Sequence, residues 1–483
     1  MRRLAAVRCL GMLSICLLWF VASAVAQPPV KPLPAIRVSA NHRFLMEEDG
    51  KPFFYLGDTA WELFHRLDRK QAIDYLDNRA RLHFNVVQAA ALSVVDGITV
   101  PNAYGHLPLI DRDPARPAVS AGADPSDRSQ YDYWDHVDFI VDEANRRGIY
   151  IGFVPTWGRW MPHPGGHESD WIFTRENARI YGEFLGKRYG RKGVIWILGG
   201  DVSGGGFEEY WRALARGIAI GATGKEDYSA LLMAFHPTGG HGSAEWFHND
   251  DWLSLNLWQT SHGTADQTVP WEKIGRDYAR TPVKPVLDAE PLYEDHPIGF
   301  RQAKELGYSF DAHVRQTAYW DVFAGACGHA YGNHAVWQMH EPGWRAVNGP
   351  LFFWPEAIER PGAAEMQYVK ALIESRPYFT RVPDQSIVAN PLGGADYIAA
   401  TRGDDYAFVY SAQGRPVTVN LGKISGKRVR VWLYNPRNGS ASEIGTFENQ
   451  GTREFIGHPI GGFGTDFVLV LDDADKQFPP PGR

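Results

Sequence analysis

The sequence predicts an α/β chain, a (β/α)8 barrel over residues 36–375 followed by a small all-β sandwich over 376–475. Three observations predict this. Between Ile36 and Ser375, short apolar runs alternate with amphipathic helical stretches, eight times over. The runs are apolar almost without interruption, as in strands covered on both faces, which points to a parallel sheet. After residue 375 the runs shorten, and turn sequences such as Gly403-Asp404-Asp405 and Arg437-Asn438-Gly439 separate them. An open doubly wound sheet is the other arrangement these repeats allow. No Gly-x-Gly-x-x-Gly turn follows any of the strands, which disfavours its dinucleotide-binding form.

The elements follow in order. Phe53–Asp58 reads as the first strand, and Lys70–Arg81 as a helix with Ala72, Ile73, Leu76 and Ala80 on one face. Phe84–Leu92 is the second strand. Ser93–Tyr133, rich in Pro, Asp and Gly, is too long for a plain connection and is expected to wall the barrel mouth. A helix over Trp134–Arg147 leads to strand three, Gly148–Val154, and a helix over Asn177–Tyr189 to strand four, Gly193–Asp201. Leu231–Phe235, Trp252–Trp258 and Pro285–Glu290 are strands five to seven. After a helix over Val314–Phe323, Gly328–Trp337 is the eighth. In the C-terminal part, strands are expected at 386–388, 397–401, 406–410, 417–419, 429–433 and 466–471.

Residues 1–26 have the pattern of a secretory signal: Arg2, Arg3 and Arg8, then the uncharged run Cys9–Val21, then Ala24-Val25-Ala26 as the cleavage site. A Pro-rich leader, 27–35, follows, and a short tail, 476–483, ends the chain. The protein is therefore expected to be exported, periplasmic or extracellular, with no membrane contact after cleavage. Cleavage would leave Cys327 as a lone cysteine in a small-residue run, read as a buried thiol. With 49 basic and 56 acidic residues, net charge −7 and no basic block, the chain is a poor match for nucleic acid or an anionic membrane.

In such a barrel the chemistry lies at the C-terminal strand ends. Asp58 ends strand one with Trp61 beyond it, Asp201 ends strand four, and His236 follows strand five. Strand seven carries Asp288 and Glu290, and strand eight runs into His334, Trp337 and Gln338. Glycoside cleavage needs one protonated and one ionised carboxyl. Asp201 and Glu290, on strands lying across the mouth from each other, are the candidate pair. A turn or N-cap role for Asp201 and a structural ion pair for Glu290 are the alternatives. Asp288 is placed on the same strand face as Glu290. Asp58 is either a cap or a ligand for sugar hydroxyls. Trp61, Trp157, Trp258 and Trp337 are candidate stacking surfaces, with core packing the plainer role; His236, His334 and Gln338 are candidate hydroxyl partners.

Leu56-Gly57-Asp58-Thr59-Ala60-Trp61-Glu62-Leu63, Trp196-Ile197-Leu198-Gly199-Gly200-Asp201, His236-Pro237-Thr238-Gly239-Gly240, Glu290-Pro291-Leu292-Tyr293-Glu294 and Gly332-Asn333-His334-Ala335-Val336-Trp337-Gln338-Met339 carry a family resemblance. Together they resemble the bacterial TIM-barrel glycoside hydrolases that include apiosidases, whose C-terminal β-module is often labelled a collagen-binding domain of a collagenase. The resemblance covers essentially all of the chain after the leader. It implies a retaining mechanism with Asp201 as acid/base and Glu290 as nucleophile, acting on plant cell-wall glycosides of the pectin side-chain type. It does not specify the sugar.

Other chemistries are weakly supported. His163 and His167 have ligand types at plausible spacing but sit in a Gly/Pro loop, so no metal or other cofactor is expected. No Gly-x-Ser-x-Gly elbow and no His-Glu-x-x-His motif occurs, which disfavours a serine triad and a zinc peptidase. A non-catalytic carbohydrate-binding barrel is the alternative function. The expected partner is an oligosaccharide or polysaccharide, and the oligomeric state is not legible.

Overall fold

A computed structural model describes residues 32–299 and 303–483. The expected signal segment and the start of the leader lie outside the described residues. No helix among the described residues is long and apolar enough to cross a membrane.

The N-terminal part is mixed α/β around a curled parallel sheet. Its strands are β1 (Tyr55–Thr59), β2 (Val86–Ala90), β3 (Tyr150–Val154), β4 (Val194–Gly199), β5 (Met233–His236), β6 (Asn256–Trp258), β7 (Val286–Asp288) and β8 (Gly328–Tyr331). Six of them form one sheet in the order β8-β1-β2-β3-β4-β5, and β7 pairs with β6 in a second parallel sheet. Backbone hydrogen bonds bridge the two, from Ser254 N–H to the Met233 carbonyl (2.8 Å) and from Cys327 N–H to the Val286 carbonyl (2.9 Å). Inside the curl, Gln88 Nε2 of β2 donates to Thr59 Oγ1 (3.2 Å) and reaches the Ala289 carbonyl beyond β7 (3.0 Å).

The long helices are α1 (Arg69–Arg81), α2 (Tyr133–Arg146), α3 (Arg175–Tyr189), α4 (Glu208–Thr223), α5 (Pro270–Tyr278), α6 (Asp311–Phe323) and α7 (Pro361–Glu374). Asp68, Asp132 and Thr174 cap α1, α2 and α3, each accepting from the N3 backbone N–H, and the N3 side chain returns a bond to the cap. Neighbouring residues near the end of β1 point to opposite sides. Thr59 faces Gln88 in the interior, whereas Asp58 points outward to α1.

Two elements differ from expectation. The segment before β1 is a three-stranded antiparallel ribbon of Ile36–Val38, Leu45–Glu47 and Pro52–Phe53, packed by Phe53 against Tyr150 at the start of β3 (ring centroids 5.3 Å). Its short strands alternate too few residues to show a period. The predicted strand at 386–388 is a 3-10 turn at Gln385–Ile387, closed by Asp384 accepting from Ser386 N–H.

The C-terminal part is all-β and antiparallel: β9 (Val382–Pro383), β10 (Ile398–Arg402), β11 (Tyr406–Ser411), β12 (Val417–Asn420), β13 (Arg428–Tyr434), β14 (Ala441–Glu448), β15 (Thr452–Phe455) and β16 (Phe467–Asp473). Six strands form a sheet in the order β9-β10-β11-β16-β13-β14, and β12 pairs with β15. Val409, Val431 and Leu469 of the large sheet pack with Val417, Val419 and Phe455 of the small one. The opposite face, with Phe408, Tyr410 and Val470, packs on Tyr319, Trp320 and Phe323 of α6. Arg315 of α6 is buried at this junction and donates to both oxygens of Asp466 (2.8 Å each) and to Glu365.

Truncating one partner of a buried charge pair leaves the other desolvated and uncompensated. Arg315→Leu is expected to lower unfolding stability by about 3 kcal/mol or more, measured by urea denaturation. The double variant Arg315→Leu/Asp466→Leu should recover part of that loss.

Candidate active site

Asp201 follows β4 on a turn that only this sequence permits. Gly199 (φ 95°), Gly200 (φ 117°) and Asp201 (φ 62°) are all left-handed. A Cβ at Gly199 would lie 2.3 Å from the His236 carbonyl, and one at Gly200 2.9 Å from the Trp157 ring. The turn is pinned by Gly200 N–H to the His236 carbonyl (2.9 Å) and by Gly158 N–H to the Gly200 carbonyl (3.0 Å). Asp201 itself pays for the turn with a strained φ, a feature found where a side chain must be aimed.

Glu290, two residues past β7, is 5% exposed. His236 Nε2 lies 2.9 Å from its Oε2, and His262 Nε2 3.2 Å from its Oε1. Burial works to raise the Glu290 pKa, but the hydrogen bonds and charges of the two imidazoles outweigh it and hold the carboxyl at about 2. Asp201 goes the other way. Its carboxyl is reached by solvent yet ringed by protein atoms, and burial followed by the charge of Glu290 raises its pKa. Gln259 Nε2 donates to Asp201 Oδ1 at 2.9 Å. Two carboxyls beyond the strand ends are thus shifted in opposite directions, one toward its proton and one away from it. That is the division of labour that glycosidic bond cleavage requires.

Comparison with known proteins agrees. The family model described as "Apiosidase-like, catalytic domain" matches residues 39–380, and the one described as "Putative collagen-binding domain of a collagenase" matches 382–472. The chain belongs to the apiosidase-like family. A solved structure described as a glycoside hydrolase is 35% identical, with TM-score 0.81, covering 92% of this chain and 98% of its own. A glycoside hydrolase family 5 structure from Bacteroides vulgatus ATCC 8482 is 36% identical, with TM-score 0.81, covering 92% and 94%. None of the curated proteins compared with the chain matches it.

In this apiosidase-like site, several predicted residues gather at the pair. Trp61 packs on Trp157 (ring centroids 5.0 Å) and on His236 (5.3 Å), all three are buried, and His236 reaches Glu290. Trp337 is half-exposed on the loop after β8, and its Nε1 donates to His334 Nδ1 at 3.2 Å. His334 packs edge-on against His296 (4.4 Å), which stacks on His262 (4.1 Å, 19°). Burial lowers the His334 pKa to about 4, so the ring accepts as a neutral imidazole.

Four predicted residues lie elsewhere. Asp58 is fully buried between β1 and α1, where Tyr75 Oη donates to it and Arg79 Nε lies at 2.6 Å. Being one residue before inward-facing Thr59, it points outward, so it is neither a cap nor a sugar ligand. Trp258 also leaves its strand toward the helices: Nε1 donates to Asp277 Oδ2 (2.8 Å) and the Arg276 guanidinium covers the ring (4.7 Å). Gln338 staples the loop after β8, donating to the His334 and Val347 carbonyls and accepting from Val347 N–H. Asp288 does not share the surroundings of Glu290. The strand ends at Asp288, the alternation stops there, and the carboxyl accepts from Thr260 instead. Burial and then the charge of Asp321 raise Asp288 to about 7.

Sequence reasoning missed Gln259, His262 and His296. All three lie in the loops after β6 and β7, and the run Gln259-Thr260-Ser261-His262 directly after an apolar strand was the available signal. Among the described residues no group of His, Cys, Asp and Glu could hold a metal ion. Cys327 is buried in the core, and burial raises its thiol to about 12.

Asp58→Asn should lower stability by roughly 3 kcal/mol or more through the stranded Arg79, while folded enzyme keeps its turnover; denaturant melts and kcat per folded molecule check both. Glu290 has a lowered folded pKa, so its contribution is present above the unfolded value of 4.5 and is lost as pH falls toward about 2. Glu290→Gln should therefore flatten the stability–pH curve between about 5 and 2, by up to about 3 kcal/mol, in acid unfolding titrations.

Proposed function

We propose that this protein is a retaining glycoside hydrolase acting on plant cell-wall glycosides of the pectin side-chain type, with apiose as the leading candidate sugar. The opposite displacement of the Asp201 and Glu290 pKa values carries the reading. A carboxyl held ionised by two imidazoles suits the nucleophile, and a carboxyl biased toward its proton suits the acid. The family description supports the sugar class.

In the first half-reaction Asp201 gives its proton to the glycosidic oxygen. The bond from that oxygen to the anomeric carbon breaks, and Glu290 bonds to the carbon from the opposite face. In the second, ionised Asp201 takes a proton from water, the oxygen attacks the anomeric carbon, and Glu290 leaves as carboxylate. Two inversions return the original anomer. His236, whose pKa the Glu290 charge raises against burial, stabilises the carboxylate before attack and again when it departs. Trp61 and Trp157 exclude water around it, and half-exposed Trp337 is the stacking surface open to a sugar ring.

Three further parts belong to this proposal. The six- and two-stranded sheets are arcs of one eight-stranded barrel, joined by the hydrogen bonds at Ser254 and Cys327. The protein is exported, with the signal segment removed after Ala26. The C-terminal domain supports the barrel.

Asp201→Ala is expected to reduce hydrolysis of pectic side-chain oligosaccharides by ~10²–10⁴-fold, and Glu290→Ala to the level of a blank. Proton NMR of the first-formed anomer should show retention. Undiminished sugar release by both variants, or early appearance of the opposite anomer, refutes the assignment. N-terminal sequencing of protein recovered from the periplasm or medium should begin at Gln27.

A further inference from the structure

The proton donor has one side-chain partner. Among the described residues, no side chain other than Gln259 hydrogen-bonds to Asp201. That contact is unusual in three respects. Gln259 is 2% exposed, so its amide is nearly dehydrated. Its backbone is fixed on both sides, with N–H donating to the His241 carbonyl (3.1 Å) and the carbonyl accepting from Gly240 N–H (2.8 Å). Its Oε1 is buried without a hydrogen-bond partner. A buried carbonyl left unpaired costs about 1–3 kcal/mol, so a native structure keeps one only where something else uses it.

The acid must change state during turnover. It is protonated before the glycosidic bond breaks and ionised after. An amide nitrogen serves the ionised form, because a carboxylate only accepts. An amide oxygen serves the protonated form, because a carboxylic acid also donates. Rotation of the Gln259 amide by half a turn exchanges the two. Since Oε1 has no bond to give up, each orientation makes one bond to Asp201 and leaves one amide atom unpaired. The two orientations are thus matched in bond count.

We propose that Gln259 is the positioning residue of the proton donor, holding ionised Asp201 through its amide nitrogen and protonated Asp201 through its amide oxygen. This rests on Asp201 as acid/base, but the geometry that supports it is separate from the contacts of Glu290. The charged and titratable groups around Asp201 are Glu290 after β7, His236 at the end of β5, His262 after β6 and Tyr293 in the loop after β7. Glu290 pushes Asp201 toward its proton, and His236 and His262 pull the other way, as does the Gln259 bond. Gln259 alone of these acts by a direct bond to the carboxyl.

The test reads Asp201 itself. Full-length protein carrying [γ-13C]aspartate is titrated by carbon NMR, with Asp201→Asn to assign the resonance. Gln259→Met keeps the length of the side chain and removes both amide functions. It should make Asp201 about tenfold weaker as an acid, because the charge-assisted bond to the ionised form is stronger than the neutral bond to the protonated form, and losing both costs the ionised form more. Gln259→Asn, whose amide is one methylene short, should raise the pKa in the same direction, and keeps the test alive if the methionine variant unfolds. The alkaline limb of the pH–rate profile on pectic oligosaccharides should move up with it. A titration superimposable on that of the parent, or shifted down, overturns the proposal. If Asp201→Ala leaves turnover untouched, the functional reading fails instead, and the titration still reports on Gln259.

Discussion

Two carboxyl groups brought to one site repel each other's ionisation, and the rest of this site is arranged around that repulsion. Cations placed beside one of them break the symmetry. Here His236 and His262 both stand at Glu290, while Asp201 has a neutral amide. The proton therefore has one favoured home. Burial and the Glu290 charge raise the Asp201 pKa, while the two imidazoles lower that of Glu290. The opposite shifts follow from where two imidazoles are held, and not from the chemical difference between aspartate and glutamate.

The four residues after β6 do most of this holding. Gln259 reaches Asp201, Thr260 reaches Asp288, Ser261 donates its N–H to the Glu290 carbonyl (3.2 Å), and His262 meets the Glu290 carboxyl. Ser261 takes a left-handed φ of 78°, which lets consecutive side chains serve groups on different strands. Behind them lies a buried polar layer. Asp288 is raised to about 7, Asp321 is raised further by burial, and His329, which meets Asp321 at 2.9 Å, is lowered to about 4. Burial drives all three toward their neutral forms.

The C-terminal domain is tied to the α/β part by buried charge and stacked rings. Arg315 pairs with Asp466, Arg376 with Asp472, Tyr319 stacks on Tyr410 (4.8 Å, 17°), and Trp271 on Tyr397 (4.5 Å, 17°). One face of the large sheet packs on α6 and the other on β12 and β15. Helix α6 also carries Asp321 of the polar layer, so the helix that the domain packs on is also the one that meets His329.

Much of this was legible before any coordinates. The eight apolar runs, the helix caps and the two glycines before Asp201 are local features, set by residues near in sequence, and so the strands and the turn at Asp201 could be read directly. Asp58 and Trp258 lie away from the pair because strand-end position says nothing of direction: one residue of parity sends a side chain to the helices instead of the mouth; β7 ends two residues before Glu290, so alternation does not carry Asp288 to it, and Gln338 bonds the backbone of its own loop. Gln259, His262 and His296 went unnoticed because polar residues in a loop carry no period. Read alone, the residues put two carboxyls at the ends of apolar runs. Their opposite shifts come from the fold, because they depend on side chains from β5 and the β6 loop arriving within hydrogen-bond reach of Glu290, and contacts between distant segments leave no mark on either one alone.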